Sequence, residues 1–443
     1  MARTISRRGF VKGSAAAGTF LIVSPRMAWA LAANAKLRVA VVGAGGMGGQ
    51  GVRVGLDEHA VAAADADPEG RGADGIAQLK KKFPDIKIYS DYRKLFDAHP
   101  SLDAAWVATP DHNHFGATLR ALDAGAGVYC EKPLTHNVYE ARTIRDLAKA
   151  KGLTTQMGNQ GHSSDSIRLL CEYVWQGTLG DVTEVHALNG NDGAHYSAGK
   201  PAPVPTGMDW DAWLGPAAWR EYVSGPHPVG WRGWIDFGTG ILGDWFCHNA
   251  DGAVWALRLN EADTVEVEAE AGLGRPTANN FCPRLRVAWH FPKRGQMAPV
   301  TLRWFLNEPL PRPPALEDGR EVKGLASVYY GTKGMAVGGS HMGGVRLIPE
   351  SFQKETGRPK QVLARTGGSH RHDFLSALRA GRKACSDFDY SARLTEIMHL
   401  GNIASRIGEK LSYDFRTGRF MNNPRADALL AREPRKGWER GYG

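Results

Sequence analysis

Gly43-Ala44-Gly45-Gly46-Met47-Gly48 fits G-x-G-x-x-G, a pattern whose chemistry is to hold a pyrophosphate against bare backbone. In a chain with 54 glycines the match alone is weak, and its setting strengthens it. Residues 37–42 form an apolar run that reads as a buried strand feeding the turn, and a helix through Val54 follows. Asp65 closes the next strand, twenty-two residues after Gly43. Gly43 permits the tight turn, Gly45 lets N–H groups approach the phosphates, and Gly48 allows close helix–strand packing. The helix N-terminus attracts the anion. Gly46 and Met47 complete the loop. Asp65 is placed to accept hydrogen bonds from a ribose, and its charge repels a 2′-phosphate, which favours NAD over NADP. The plainer alternative is a glycine-rich turn of some other α/β fold with a surface aspartate.

Two further loops carry reactive side chains at the carboxyl ends of strands, where an open α/β sheet binds ligands. One holds Thr109, Pro110, His112 and His114; the other holds Glu131 and Lys132. Asn159 and Gln160 follow the sixth strand, near where a nicotinamide would lie, and His162 is a candidate for substrate. Lys132 paired with Glu131 at a strand end is the plainer reading of that dipeptide. His370 and His372 open a late helix and suit a capping role. Asp192, His195 and His227 could line the site or suggest a metal, but they show no ligand spacing, so no metal is expected.

The elements that position these loops alternate. Strands are read at 60–64, 86–89, 104–108, 127–130 and 154–157, with helices at 115–124 and 138–149 between them. This rhythm predicts an N-terminal Rossmann domain, a doubly wound parallel sheet. After residue 160 it changes: a helix at 167–175, then longer strands at 183–188, 264–271, 285–290 and 300–305. Helices return at 372–380 and 391–407. The loop 199–240, rich in Pro, Gly and Trp, is too long for a plain connection and reads as part of a site or interface. We assign 31–160 to the dinucleotide-binding domain and 161–420 to an α+β domain with an open, mainly antiparallel sheet, for substrate and oligomerisation. Residues 421–443 read as a polar, poorly packed tail.

Gly-x-Gly-x-x-Gly, then Thr109-Pro110 with His114, then Glu131-Lys132-Pro133, in this order, resembles the Gfo/Idh/MocA oxidoreductases. The resemblance covers residues 37–407. The segment Gly240-Ile241-Leu242-Gly243-Asp244-Trp245-Phe246-Cys247-His248 is similar to the family's segment with a catalytic aspartate and histidine four apart, a spacing that shares one helix face. The resemblance implies a catalytic set of Lys132, Asp244 and His248, with Asp244 and His248 also touching substrate. It implies dimers or tetramers through the second domain's sheet. Residues 207–216, followed by Trp231-Arg232-Gly233-Trp234, are similar to exported members of the family, which puts Trp231 and Arg232 at the substrate. In chemical terms His248 suits the base that takes a hydroxyl proton, and Lys132 can bond the reacting oxygen. Which of the two takes the proton first stays open. A core histidine at 248 and a helix-start acid at 244 are the bland alternatives.

The 443 residues are 42% hydrophobic and 23% charged, a globular composition. Ser6-Arg7-Arg8-Gly9-Phe10-Val11-Lys12, an apolar stretch at 13–23 and Ala28-Trp29-Ala30 match a twin-arginine signal peptide over 1–30. The apolar run is too short for a stable membrane span. The expectation is periplasmic protein, carried folded by the twin-arginine translocase. The leader holds five cations and no acid, so its removal lowers the net charge from +9 to +4. No long Lys/Arg run follows it, which argues against nucleic-acid binding. The five cysteines are widely spaced and suggest neither a zinc motif nor a disulfide framework.

The leading expectation is hydride transfer between tightly bound NAD and a ring hydroxyl of a sugar, glycoside or inositol. Two rivals remain: an NAD-dependent glycoside hydrolase working by transient C3 oxidation and elimination, and a non-enzymatic sugar or nucleotide sensor. The resemblance weighs against the hydrolase, since relatives that act as α-N-acetylgalactosaminidases tend to lack the lysine of Glu-Lys-Pro.

Overall fold

The computed structural model describes residues 36–189, 199–270, 273, 276–421 and 423–442. The leader, Asp192 and His195 lie outside them.

Short apolar segments become the strands of a six-stranded sheet: β1 (Arg38–Val42), β2 (His59–Ala64), β3 (Lys87–Tyr89), β4 (Ala104–Val107), β5 (Gly127–Cys130) and β6 (Thr155–Met157). Every pairing is parallel and the order is β3-β2-β1-β4-β5-β6. Helices cover both faces, so β4 and β5 are buried at every position, as a parallel sheet requires. The chain turns opposite ways after β1 and β4. The crevice at their carboxyl ends therefore lies beside the glycine turn and the loop after β4.

The second sheet is built from β7 (Val182–Asn189), β10 (Thr264–Ala269), β11 (Leu285–Phe291), β12 (Val300–Leu306), β13 (Ser327–Gly331), β14 (Met335–Gly338), β15 (Arg346–Ile348), β16 (Leu411–Asp414) and β17 (Arg419–Phe420). Two-residue strands β8 (Lys200–Pro201) and β9 (Val223–Ser224) pair separately. The order in the large sheet is β15-β14-β13-β7-β12-β11-β10-β16-β17, antiparallel except for the parallel pair β7–β12. Five of these strands, β13 to β17, escaped the sequence reading. They are two to five residues long, too short for alternation to register.

One face of this sheet is apolar. Trp289 and Trp304 meet Phe246 of the helix Gly240–Asn249, with ring centroids 5.1 and 5.7 Å apart. Trp289 Nε1 also donates to the Ile397 carbonyl on the helix Phe388–Ile407 (2.9 Å). The other face carries an ion-pair ladder: Arg303 with Glu184 and Glu270, Arg286 with Glu270 and Glu308, and His290 with Glu268.

Residues 423–442 are not a loose tail. Tyr139 N–H donates to the Leu430 carbonyl (2.9 Å), and Arg432 pairs with the fully buried Glu140 (2.9 Å). The Arg93 guanidinium lies 3.6 Å from the Trp438 ring centroid, and the Tyr442 ring meets Phe115 at 4.9 Å. The segment is polar in composition, yet its few large apolar residues fall where the first domain needs covering. This corrects the poorly packed tail read at 421–443.

Candidate active site

A cleft of about 490 Å³ runs along the carboxyl ends of the first sheet. At one end lies the glycine turn. Gly43 stands at φ +84°, and a Cβ there would lie 2.5 Å from the Ala108 carbonyl oxygen. A Cβ on Gly48 would lie 2.2 Å from the Gly43 carbonyl oxygen, so this glycine lets the helix start press onto the turn itself. Gly45, Gly46, Met47 and Asp65 line the cleft here, and Arg71 closes over them. The space a side chain at Gly45 would take is filled by the Arg71 backbone, its oxygen 2.5 Å from such a Cβ. Asp65 accepts hydrogen bonds from the N–H groups of Ala44 (2.7 Å) and Asp67 (2.9 Å). Burial raises its carboxyl above the ordinary value, against the pull of those amides.

The middle of the cleft is made by the two flagged loops. Thr109, Pro110, His114, Glu131 and Lys132 all line it. His114 ties the loops together, its ring nitrogens 2.8 Å from the carbonyl oxygens of Pro133 and Thr109. Thr109 Oγ1 and Glu131 Oε1 are buried without hydrogen-bond partners. Burial pushes the Glu131 carboxyl up to about 7, with Lys132 opposing. A turn with no room for side chains, followed by unpartnered polar atoms along an elongated cleft, fits a dinucleotide.

The far end holds the charged set. Lys132 Nζ donates to the Asp244 carbonyl oxygen (2.7 Å) and to its Oδ1 (2.6 Å). Arg232 Nε donates to the same Oδ1 (3.1 Å). Burial alone would raise the Asp244 carboxyl; the two cations reverse this and hold it well below the usual carboxylate range. An ammonium has three N–H donors, and Asp244 takes two of them. Trp231, Arg232, Asp244 and Trp245 line this end, whereas His227, against which Trp213 packs (6.0 Å), bonds Asp67 (2.8 Å) beside Asp65 at the glycine-turn side. Trp210 instead stacks behind Trp213 (4.7 Å), and Trp234 packs on Phe237 (6.0 Å).

Asp244 and His248 occupy successive turns of one helix, but His248 is not on the cleft wall. It is 5% exposed, its Nδ1 has no partner, and its ring faces that of His341 at 4.0 Å. Burial first, then the charges of Lys132 and His341, lower its pKa well below the ordinary imidazole value, so the ring is neutral.

Four other expected residues also lie away from the cleft. His112 is buried, its ring nitrogens beside the carbonyl oxygens of Phe237 (3.1 Å) and Trp213 (2.7 Å). Asn159 donates to Asp251 (3.0 Å) and accepts from Ser386 (2.7 Å). His162 bonds Asp251 (3.0 Å) and stacks on Trp255 (4.3 Å). Gln160 turns toward Tyr129 and Glu131. His112 and Asn159 tie the first domain to the second, because buried polar groups must find partners and theirs lie across the domain boundary.

The sequence reading passed over Asp111 and Arg71. Asp111 lines the cleft and accepts from Thr239 Oγ1 (2.7 Å), and burial raises its carboxyl to about 7. Its place inside the flagged loop was a usable signal. Arg71 had none, since only the turn at 67–72 brings it over the glycines. Among the described residues, no group of three or more His, Cys, Asp or Glu is arranged to hold a metal, and no helix is long and apolar enough to cross a membrane.

Comparison with known proteins agrees with this geometry. The family profile described as "Oxidoreductase family, NAD-binding Rossmann fold" matches residues 37–159, and its companion, "Oxidoreductase family, C-terminal alpha/beta domain", matches residues 178–290. The trans-1,2-dihydrobenzene-1,2-diol dehydrogenase of Mus musculus is 30% identical over 154 residues, 35% of this chain and 42% of that protein. The D-xylose 1-dehydrogenase (NADP(+)) of Hypocrea jecorina is 39% identical over 93 residues, 21% of this chain and 23% of that protein. The matches thus span less than half the length of these relatives. The structure of levoglucosan dehydrogenase in complex with NADH and L-sorbose aligns at TM-score 0.55 and 17% identity, covering 85% of this chain and 99% of that one, a likeness of fold. With both domains matched by profiles of one family, and with the sheet order and glycine turn described above, the chain belongs to the Gfo/Idh/MocA oxidoreductase family.

Proposed function

We propose that this protein transfers hydride between tightly bound NAD and a ring hydroxyl of a sugar or cyclic polyol. One observation carries the reading: Lys132 Nζ is held by Asp244 at one end of a cleft whose other end is the glycine turn. The turn, Asp65, Thr109 and Glu131 would hold the dinucleotide, which when bound supplies the hydride acceptor or donor. The Lys132 donor that Asp244 leaves free bonds the reacting oxygen. Asp244 fixes Lys132 and Arg232 together, and two cations around one carboxylate leave a net positive charge to stabilise an alkoxide-like oxygen. His248, set back one helix turn behind Asp244, would take the departing proton on its other ring nitrogen, Nε2, because Nδ1 is buried out of reach of the cleft. Trp231 and Trp245 supply apolar walls suited to a sugar face. The relatives that are dehydrogenases of D-xylose and levoglucosan support a carbohydrate-like substrate.

The twin-arginine pattern supports export to the periplasm, and a periplasmic enzyme needs a cofactor that stays bound and is regenerated in place. We propose such a cycle, one substrate reducing the cofactor and a second reoxidising it. Assembly through the open face of the second sheet is part of the same proposal.

Native mass spectrometry of the purified protein tests the reading first. The expected result is a copurifying NAD or NADH, with absorbance at 340 nm responding to a panel of sugars and inositols. Phenol released over many turnovers from an aryl glycoside, without added NAD, would replace the reading with the glycoside hydrolase. A protein that binds sugar but shows no redox change would be a sensor.

A further inference from the structure

His341 lies in the turn between β14 and β15, outside every motif considered so far. The turn runs against local backbone preference. His341 (φ 55°) and Met342 (φ 58°) stand consecutively in the left-handed region, and neither is glycine. Surrounding residues hold them there. Asn249 Oδ1 accepts the His341 N–H (3.1 Å). Gly161 leaves room for the turn, since a Cβ there would lie 2.2 Å from the His341 carbonyl oxygen. The Met342 side chain is fully buried against Gly252, its Sδ accepting from Tyr329 OH (3.6 Å). The outcome of this construction is one contact: the His341 imidazole lies on that of His248, centroids 4.0 Å apart and planes 37° apart. The Trp245 ring meets both. His341 is half-buried, and Ser340 Oγ lies 2.7 Å from its Nδ1.

We infer that His341 is a positioning residue for His248, fixing the orientation of the buried ring and setting the pH range in which it accepts a proton. Two imidazolium rings face to face at this distance repel, so the pair holds one proton at most. The other groups acting on His248 are Lys132 and His370, which disfavour its protonation, and Asp244, which favours it. Lys132 also acts on His341. The inference rests on the reading of His248 as the base of an alcohol oxidoreductase.

The test uses two variants of the full chain. His341→Phe keeps a ring against His248 but cannot take a proton. His341→Asn removes ring and charge, and asparagine tolerates the left-handed backbone. In each, the His248 ring is titrated by carbon–proton NMR, and kcat and KM are measured against pH. In His341→Phe the His248 midpoint and the acid limb of kcat should both move up by at least half a pH unit, with plateau kcat within threefold of wild type. In His341→Asn kcat should fall at least tenfold with KM within threefold, because the ring loses its orientation. An unmoved acid limb and an unmoved titration in both variants would overturn the inference, as would both rings charging in one step in the wild type. If the wild type oxidises no alcohol, the functional reading fails, while the NMR titration still decides whether the rings are coupled.

Discussion

The two ends of the cleft are built by different means. The glycine turn comes from one stretch of chain, and most of its contacts are backbone atoms that lie close because side chains are missing. The charged end gathers Lys132 from the first domain with Trp231, Arg232 and Asp244 from the second, segments far apart in sequence. A site of the first kind holds a ligand by shape. A site of the second kind works by charge, and its charges are set by neighbours far away in sequence. Binding and chemistry should therefore be separable by mutation.

The sharpest separation is expected from Lys132→Ala. Loss of the donor on the reacting oxygen should lower turnover by about 10³, with NADH affinity, read by fluorescence titration, within about threefold of wild type. If affinity collapsed and rate survived, the division between the ends would be wrong. Gly43→Val probes the other end. A Cβ 2.5 Å from the Ala108 oxygen, at a positive φ, must displace the turn. Dinucleotide affinity should drop by roughly 100-fold, consistent with strain of about 1–3 kcal/mol plus lost backbone contacts. Asp65→Ala should be milder, about tenfold weaker for NAD, as expected for a lost charge-assisted bond, with NADP gaining relative to NAD because one carboxylate is gone while Arg71 still lines the cleft. A calorimetric titration with both cofactors decides this.

The smallest effect is on stability against pH. The Asp111 carboxyl is raised by burial to about 7 in the folded chain, above its unfolded value. Its contribution is therefore fully present below the unfolded pKa of about 3.9 and is lost as pH rises through about 7. Wild-type Tm should fall over that window, and Asp111→Asn should flatten the fall without removing it, because Glu131 is raised in the same way. An identical slope in the two proteins would show that Asp111 is not the titrating group.

The same contrast explains what the sequence could reveal. The first sheet was legible because its strands are apolar throughout and separated by helices, and the turn carries its glycines in a row. Lys132 and Asp244 were reached through family resemblance, since nothing local says that they meet. His162 and Asn159 look like site residues by position, but Asp251 captures both, and that partner lies about ninety positions away. His341 was invisible for the opposite reason. Its importance comes from a strained turn and from the ring it touches, and neither leaves a pattern along the chain. Asp111 stood in plain view in a flagged loop, but its raised carboxyl depends on burial, which composition does not report.

The segment 423–442 has a consequence for the order of assembly. Glu140, buried in the first domain, meets its counter-charge only when Arg432 arrives, and Trp438 and Tyr442 seal surfaces of that same domain. A ribosome delivers these residues after all the elements they cover. The dinucleotide domain, first to emerge, is thus finished last, and a chain cut short near residue 420 would leave a buried carboxylate without its partner.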